Sequence, residues 1–160
     1  MADAVRQVAG AEAAIINGGS IRADIARGAI TRKNVYKALP FPDYIVVVRL
    51  TGAQLRKALE HGVSGPGPRG RFPQVSGLTF TYRPQAPPGR RVQQILVSGR
   101  PLEADKIYTV ATNNFLAAGG DGYQVFAEAL KPKVGRPARC GPGTTVREAV
   151  ITYIKSQGKI

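Results

Sequence analysis

The chain is poor in the residues that carry most hydrolytic and metal chemistry. Its 160 residues include one cysteine, Cys140, one histidine, His61, and no tryptophan. A lone cysteine excludes an internal disulfide and every multi-cysteine zinc pattern. One histidine excludes a histidine-rich metal site within the chain. A Ser-His-Asp triad would have to recruit His61, and no G-x-S-x-G elbow accompanies it. Acidic residues are also few: 10 Asp and Glu against 23 Lys and Arg, a net charge of +13. No apolar run approaches the ~20 residues that span a bilayer. The opening, Met1 to Arg6, lacks the apolar stretch of a secretory signal and reads as the interior of a helix.

The positive surface attracts anions such as nucleotides, nucleic acids or lipid headgroups. Its Lys and Arg are scattered among 12 prolines and 19 glycines, not packed with aromatics into one block. The charge therefore reads as a solvated, arginine-rich surface that accommodates a phosphorylated small molecule. The hydrophobic fraction of 43% and the length fit one domain with its own core.

Periodicity and cap signals predict a helix from Asp3 to Ala9 and a buried strand from Ala13 to Ile16. A loop, Asn17 to Arg22, follows. Thr31 caps a helix from Arg32 to Ala38, and Leu39-Pro40-Phe41-Pro42-Asp43 forms a rigid turn. Tyr44 to Leu50 reads as a strand. Thr51 and Gln54 make a capping box for a helix from Gly52 to His61, with Gly62 as the left-handed residue that ends it. His61, in the last turn, reads as solvated and is given no catalytic role. After a Gly/Pro/Arg loop from Ser64 to Arg71, strands are expected at Leu78 to Tyr82, Val92 to Val97 and Ile107 to Thr112. Ser98-Gly99 is a tight turn. Tyr123 to Leu130 is predicted helical and Lys131 to Gly143 a basic loop. Thr145 and Glu148 cap a last helix, Val146 to Gln157, whose apolar stripe is core. The sum is an α+β domain with a mixed β-sheet flanked by helices.

Three blocks carry chemistry. The first, Asn17-Gly18-Gly19-Ser20-Ile21-Arg22, offers an amide able to hydrogen-bond a base edge and a guanidinium able to grip phosphate. The second, Leu39-Pro40-Phe41, holds an aromatic ring on a stiff turn. The third, Asn113 to Tyr123, places Phe115 and Asp121 beside Gly119 and Gly120, which let a backbone approach a ligand closely. Each block alone also has a plain structural reading. The glycines form ordinary turns, Phe41 plugs the core, and Arg22 pairs with Asp24 on the surface.

In this order the three blocks resemble the C-terminal, substrate-binding domain of the 5'-nucleotidase family, from about Ala13 to Phe126. Gly28-Ala29-Ile30-Thr31, Val46 to Gly52 and Gln74 to Leu78 add to the likeness. The resemblance implies that Asn17 contacts the base and Arg22 the substrate phosphate. It implies that Phe41 and Phe115 sandwich the base and that Asp121 binds the ribose hydroxyls. Ser20 and Pro42 stand where the family usually has glycine, and Pro42 stiffens the turn that carries Phe41. In the family the bond-breaking groups lie on an N-terminal metallophosphatase domain, where Asp, His and Asn hold a divalent metal pair such as zinc or manganese. A further family arginine that binds phosphate upstream has no counterpart in this chain. The expectation is thus a single domain over residues 1–160, without the metallophosphatase domain, catalytic residues or metal ligands. Its partners would be nucleoside 5'-phosphates and that missing domain, in a protein that works outside the cytoplasm. A basic nucleic-acid-binding module is the competing class, recognisable by steep salt dependence. A self-sufficient hydrolase is a third.

Overall fold

The apolar run Ala13–Asn17 forms strand β1, and all five residues are buried. Ala13 and Ile15 enter one core, while Ala14 and Ile16 enter another. Burial on both faces is the environment of an inner strand, and it explains why this run shows no polar alternation.

A computed structural model describes residues 1–65, 70–131 and 140–157. Helix α1 (Ala2–Ala9) precedes β1, and α2 (Arg32–Ala38), β2 (Tyr44–Thr51) and α3 (Gly52–Gly62) follow it. Next come strands β3 (Pro73–Ser76), β4 (Leu78–Tyr82), β5 (Val92–Val97), β6 (Arg100–Pro101) and β7 (Ile107–Asn113). The described chain closes with α4 (Asn114–Ala117), α5 (Gln124–Leu130), β8 (Cys140–Thr145) and α6 (Val146–Ser156). Five strands form one sheet in the order β3-β1-β7-β2-β8, and β4-β5-β6 form a small second sheet. In the larger sheet β1 and β7 run parallel and the other pairs antiparallel. The fold is therefore α+β with a mixed sheet, as expected.

Two cores grip the larger sheet. Leu55, Ala58 and Leu59 of α3, Val125 and Phe126 of α5, and Leu78, Val92, Ile95 and Val97 of the small sheet pack on one face. Ala4 and Val5 of α1, Val35 of α2, and Val146, Ala149 and Val150 of α6 pack on the other. The N-terminal signals at Thr31 and Thr51 act as expected, while the capping box expected of Thr145 and Glu148 forms on one side only. Thr31 and Asn34 form a reciprocal capping box, and so do Thr51 and Gln54. Thr145 accepts from the Glu148 backbone N–H, while the Glu148 carboxylate turns to Arg32 at 2.6 Å.

Three expectations need correction. Pro73–Ser76 is a strand, although the sequence reading started its strands at Leu78. It lies at the sheet edge, where a proline loses no ladder hydrogen bond. Residues 140–145, of which 140–143 were expected to end a basic loop, form the opposite edge strand. Their Gly-Pro-Gly content hid a strand that needs partners on one side only, and 132–139 of that loop lie outside the described residues. Gly62 does not end α3 in a left-handed conformation. It is the helix's last residue and is buried, and Val63 follows as the cap. A Cβ on Gly62 would lie 2.5 Å from the Tyr123 hydroxyl and 2.7 Å from Pro73 Cδ. Close approach, and not backbone freedom, is what requires glycine there.

The strand register also fixes where function can gather. Ala14 pairs with Ala111 in the parallel β1–β7 ladder, and Ile45 faces Asn113 in the antiparallel β2–β7 ladder. The C-terminal ends of β1 and β7 and the N-terminal end of β2 thus share one edge. Ligands commonly bind outside the carboxyl ends of parallel strands.

Gly62→Ala is expected to cost about 1–3 kcal/mol by overpacking. Chemical denaturation checks this, and an unchanged midpoint would show that Tyr123 and Pro73 yield freely.

Candidate functional site

Asn17 ends β1, Asn113 ends β7, and the turn 39–43 leads into β2, so three loops leave the same edge. Between them lies a pocket of about 290 Å³. Asn17, Arg22, Phe41, Phe115 and Asp121 all line it, together with Gly19, Ser20, Asp43 and Gly70. Phe41 and Phe115 stay 45% and 43% exposed, so neither is a core plug. Two open aromatic faces in one concave site offer platforms for a flat apolar group. Gly119 and Gly120 are not in the lining. Gly120 backs the ring of Phe115, where a Cβ would approach Phe115 Cζ to 2.6 Å. Gly119 takes a φ of 91° and starts the turn that carries Asp121.

Buried amides hold the floor. Asn113, wholly buried, accepts the Leu116 backbone N–H on Oδ1 at 2.8 Å and so caps α4. Its Nδ2 reaches Asn17 Oδ1 at 3.3 Å, Ser20 Oγ at 3.2 Å and Asp43 Oδ2 at 3.4 Å. Ser20 donates to Asn17 Oδ1 at 2.6 Å, and Asn17 Nδ2 donates to Asp121 Oδ2 at 2.8 Å. Asn17 therefore spends its carbonyl and one N–H inside the protein. The loop after β1 is fixed from the other side by backbone bonds, Gly18 N–H to Phe72 O at 2.9 Å and Gly19 N–H to Gly70 O at 2.7 Å.

Asp121 sits in the left-handed region, φ 51° and ψ 15°, which costs a non-glycine residue energy that its surroundings must offset. Asn17 holds its side chain. His61 holds its backbone, with Nε2 2.8 Å from the Asp121 carbonyl. A carbonyl only accepts, so Nε2 carries the proton. The expectation of a merely solvated His61 is thus corrected: its ring also packs edge-on against Tyr123, centroids 4.9 Å apart. Tyr123 in turn is buried, stacks on Phe126 and donates to the Arg71 carbonyl at 2.7 Å. Burial first, and Asp121 second, push the Tyr123 phenol far up, so it stays a neutral donor.

Charge in the pocket is arranged unevenly. Arg22 is exposed, and among the described residues no carboxylate pairs with it, Asp24 included. Burial raises the Asp43 carboxyl above its ordinary range, against the pull of Arg147. Among the described residues no three His, Cys, Asp or Glu side chains gather as metal ligands would. Sequence reading missed Asp43, Asn113 and His61 as site residues. Asp43 had a signal, since it shares the proline turn of Phe41. Asn113 and His61 act through other residues and carried none.

The family model described as the 5'-nucleotidase C-terminal domain matches residues 1–128. The trifunctional nucleotide phosphoesterase protein YfkN of Bacillus subtilis is 44% identical over 130 residues, 78% of this chain and 9% of that protein. Human 5'-nucleotidase is 40% identical over 128 residues, 72% of this chain and 22% of that protein. The crystal structure of a 5'-nucleotidase precursor from Thermus thermophilus superposes with a TM-score of 0.87 at 37% identity, over 98% of this chain and 31% of that one. The chain thus spans less than a third of each of these relatives.

Asn17→Ala would strip partners from Asp121, Ser20 and Asn113 at once. The expected loss is about 1–3 kcal/mol of stability. Amide hydrogen exchange should quicken at Gly122 and Tyr123, whereas unchanged protection there would mean that Asn17 does not hold the Asp121 turn.

Proposed function

The chain belongs to the 5'-nucleotidase family through its C-terminal domain, and on that premise we propose that it recognises nucleotides for hydrolysis. The observation that supports this best is the pair of open phenylalanine faces, Phe41 and Phe115, on one pocket with an arginine that pairs with no carboxylate among the described residues. The base stacks between the two rings, an interaction indifferent to base identity. Arg22 takes the phosphate through parallel hydrogen bonds. Asp121, already aimed by Asn17 and His61, accepts from the ribose hydroxyls through its remaining lone pairs. Gly120 lets the Asp121 turn lie close against Phe115.

Hydrolysis belongs to a separate N-terminal metallophosphatase domain. A divalent metal pair held by that domain would supply the polarisation of the phosphate and the activated water. This chain's own task is to bind, orient and present, and alone it is expected to release no phosphate. Among the described residues no helix is long and apolar enough to cross a membrane. We place the whole protein outside the cytoplasm, as the family likeness implies.

Titration of the chain with AMP, adenosine and ribose, followed by NMR and calorimetry, tests the reading. Adenosine should bind better than ribose. Phe41→Ala and Phe115→Ala should each weaken adenosine by about 1–3 kcal/mol. Arg22→Ala should weaken AMP and leave adenosine unchanged. Adenosine binding no tighter than ribose would sink the proposal.

A further inference from the structure

We propose that Asp43 reads the edge of the bound base and makes the pocket prefer guanine. This rests on the nucleotide-recognition reading above and extends it to substrate class.

The placement of Asp43 carries the inference. Phe41 stands two residues before it, and Phe115 stands two residues after Asn113. Asp43 and Asn113 touch, Asn113 Nδ2 lying 3.4 Å from Asp43 Oδ2. Asp43 thus lines the same pocket as the two rings, and the buried Asn113 holds it from beneath. The backbone around Asp43 is pinned on both sides. Its carbonyl accepts the Val146 N–H at 2.9 Å, and the next residue, Tyr44, donates its N–H to Asn114 Oδ1 at 2.9 Å. Asp43 is half-buried and lines the pocket, on a turn that Pro40 and Pro42 stiffen. Among the described residues its carboxylate has one hydrogen-bond donor, the long contact from Asn113, so acceptor capacity is left over.

A ring clamped face-on presents only its edge to the rest of the pocket lining. A carboxylate can accept but not donate. Guanine offers two adjacent donors, N1–H and the N2 amino group, which match the two carboxylate oxygens. Adenine offers N6–H beside a bare N1, so one carboxylate oxygen would face a lone pair. Cytosine repeats that mismatch, and uracil flanks its single N–H with two carbonyls. Charge-assisted paired hydrogen bonds are the strong kind, so the difference is large enough to measure. Burial of Asp43 away from bulk water strengthens it further.

The test compares guanosine with adenosine on the wild-type chain and on Asp43→Asn, at a pH of about 8, well above the ordinary carboxylate range. Nucleosides are used so that Arg22 does not contribute. Guanosine should bind at least about fivefold tighter than adenosine to the wild type. Asp43→Asn keeps the shape and the acceptor for Asn113 but sets a donor beside an acceptor, which pairs with adenine N6–H and N1 and with guanine N1–H and O6 alike. The preference for guanosine should therefore be lost. Equal wild-type affinities, or an order that Asp43→Asn leaves unchanged, would overturn guanine readout. If Phe115→Ala still weakened both nucleosides in that case, the clamp itself would stand. Binding of neither nucleoside to the wild type would overturn both.

Discussion

One buried amide, that of Asn113, is the constraint on which the pocket depends. It sits where β7 turns into α4, wholly out of water, and its four neighbours come from three separate stretches of chain. A buried amide left unsatisfied costs more than a typical hydrogen bond contributes, so each loop that meets Asn113 is held in register with the others. The loop after β1 reaches it through Asn17 and Ser20, the turn before β2 through Asp43, and α4 through the Leu116 amide. Asn113 can stand there because β1 and β7 are parallel while β2 is antiparallel to β7. Any other pairing would send one of these loops to the far edge.

A second tier of contacts holds what Asn113 does not reach. Asp121 occupies a left-handed conformation that few side chains adopt. It is fixed through its carboxylate by Asn17 and through its carbonyl by His61. His61 leans on Tyr123, and Tyr123 is locked by Phe126 and by the Arg71 carbonyl. Gly62 lets Tyr123 and Pro73 come that close. Helix α3, far from the pocket in sequence, thereby sets the position of an acidic side chain in its wall. Strain of this kind is kept at sites where geometry matters more than stability.

The sequence was legible wherever one local rule decided the outcome. Thr31 and Thr51 showed their helix starts by spacing alone, and β1 showed itself as a continuous apolar run. Phe41, Phe115, Arg22, Asn17 and Asp121, singled out because their blocks occur in family order, line one pocket. What could not be read depends on distant partners. Pro73 and the Gly-Pro-Gly of β8 look like loop residues until an inner strand pairs with one side of them. Gly62 looks like a helix stop until Tyr123 arrives from sixty residues away. His61 looks solvated for the same reason, since its partner is a carbonyl that no side-chain pattern reveals.

The charges of the pocket follow from this division of labour among partners. Two carboxylates, Asp43 and Asp121, line the same cavity as Arg22. Had either closed an ion pair with Arg22, the site would have neutralised itself. Instead each carboxylate meets an amide, Asn113 for Asp43 and Asn17 for Asp121. Amides hold a carboxylate in place without cancelling its charge. The cation is left at the exposed rim, where an anion arriving from solvent can reach it, and the acceptors are left inside, where hydroxyl or N–H donors of the same ligand can follow. A chain with 23 basic and 10 acidic residues attracts anions everywhere on its surface, so net charge alone selects nothing. Selection requires an ordered sequence of cation, aromatic faces and acceptors. The buried amides supply that order by keeping opposite charges apart.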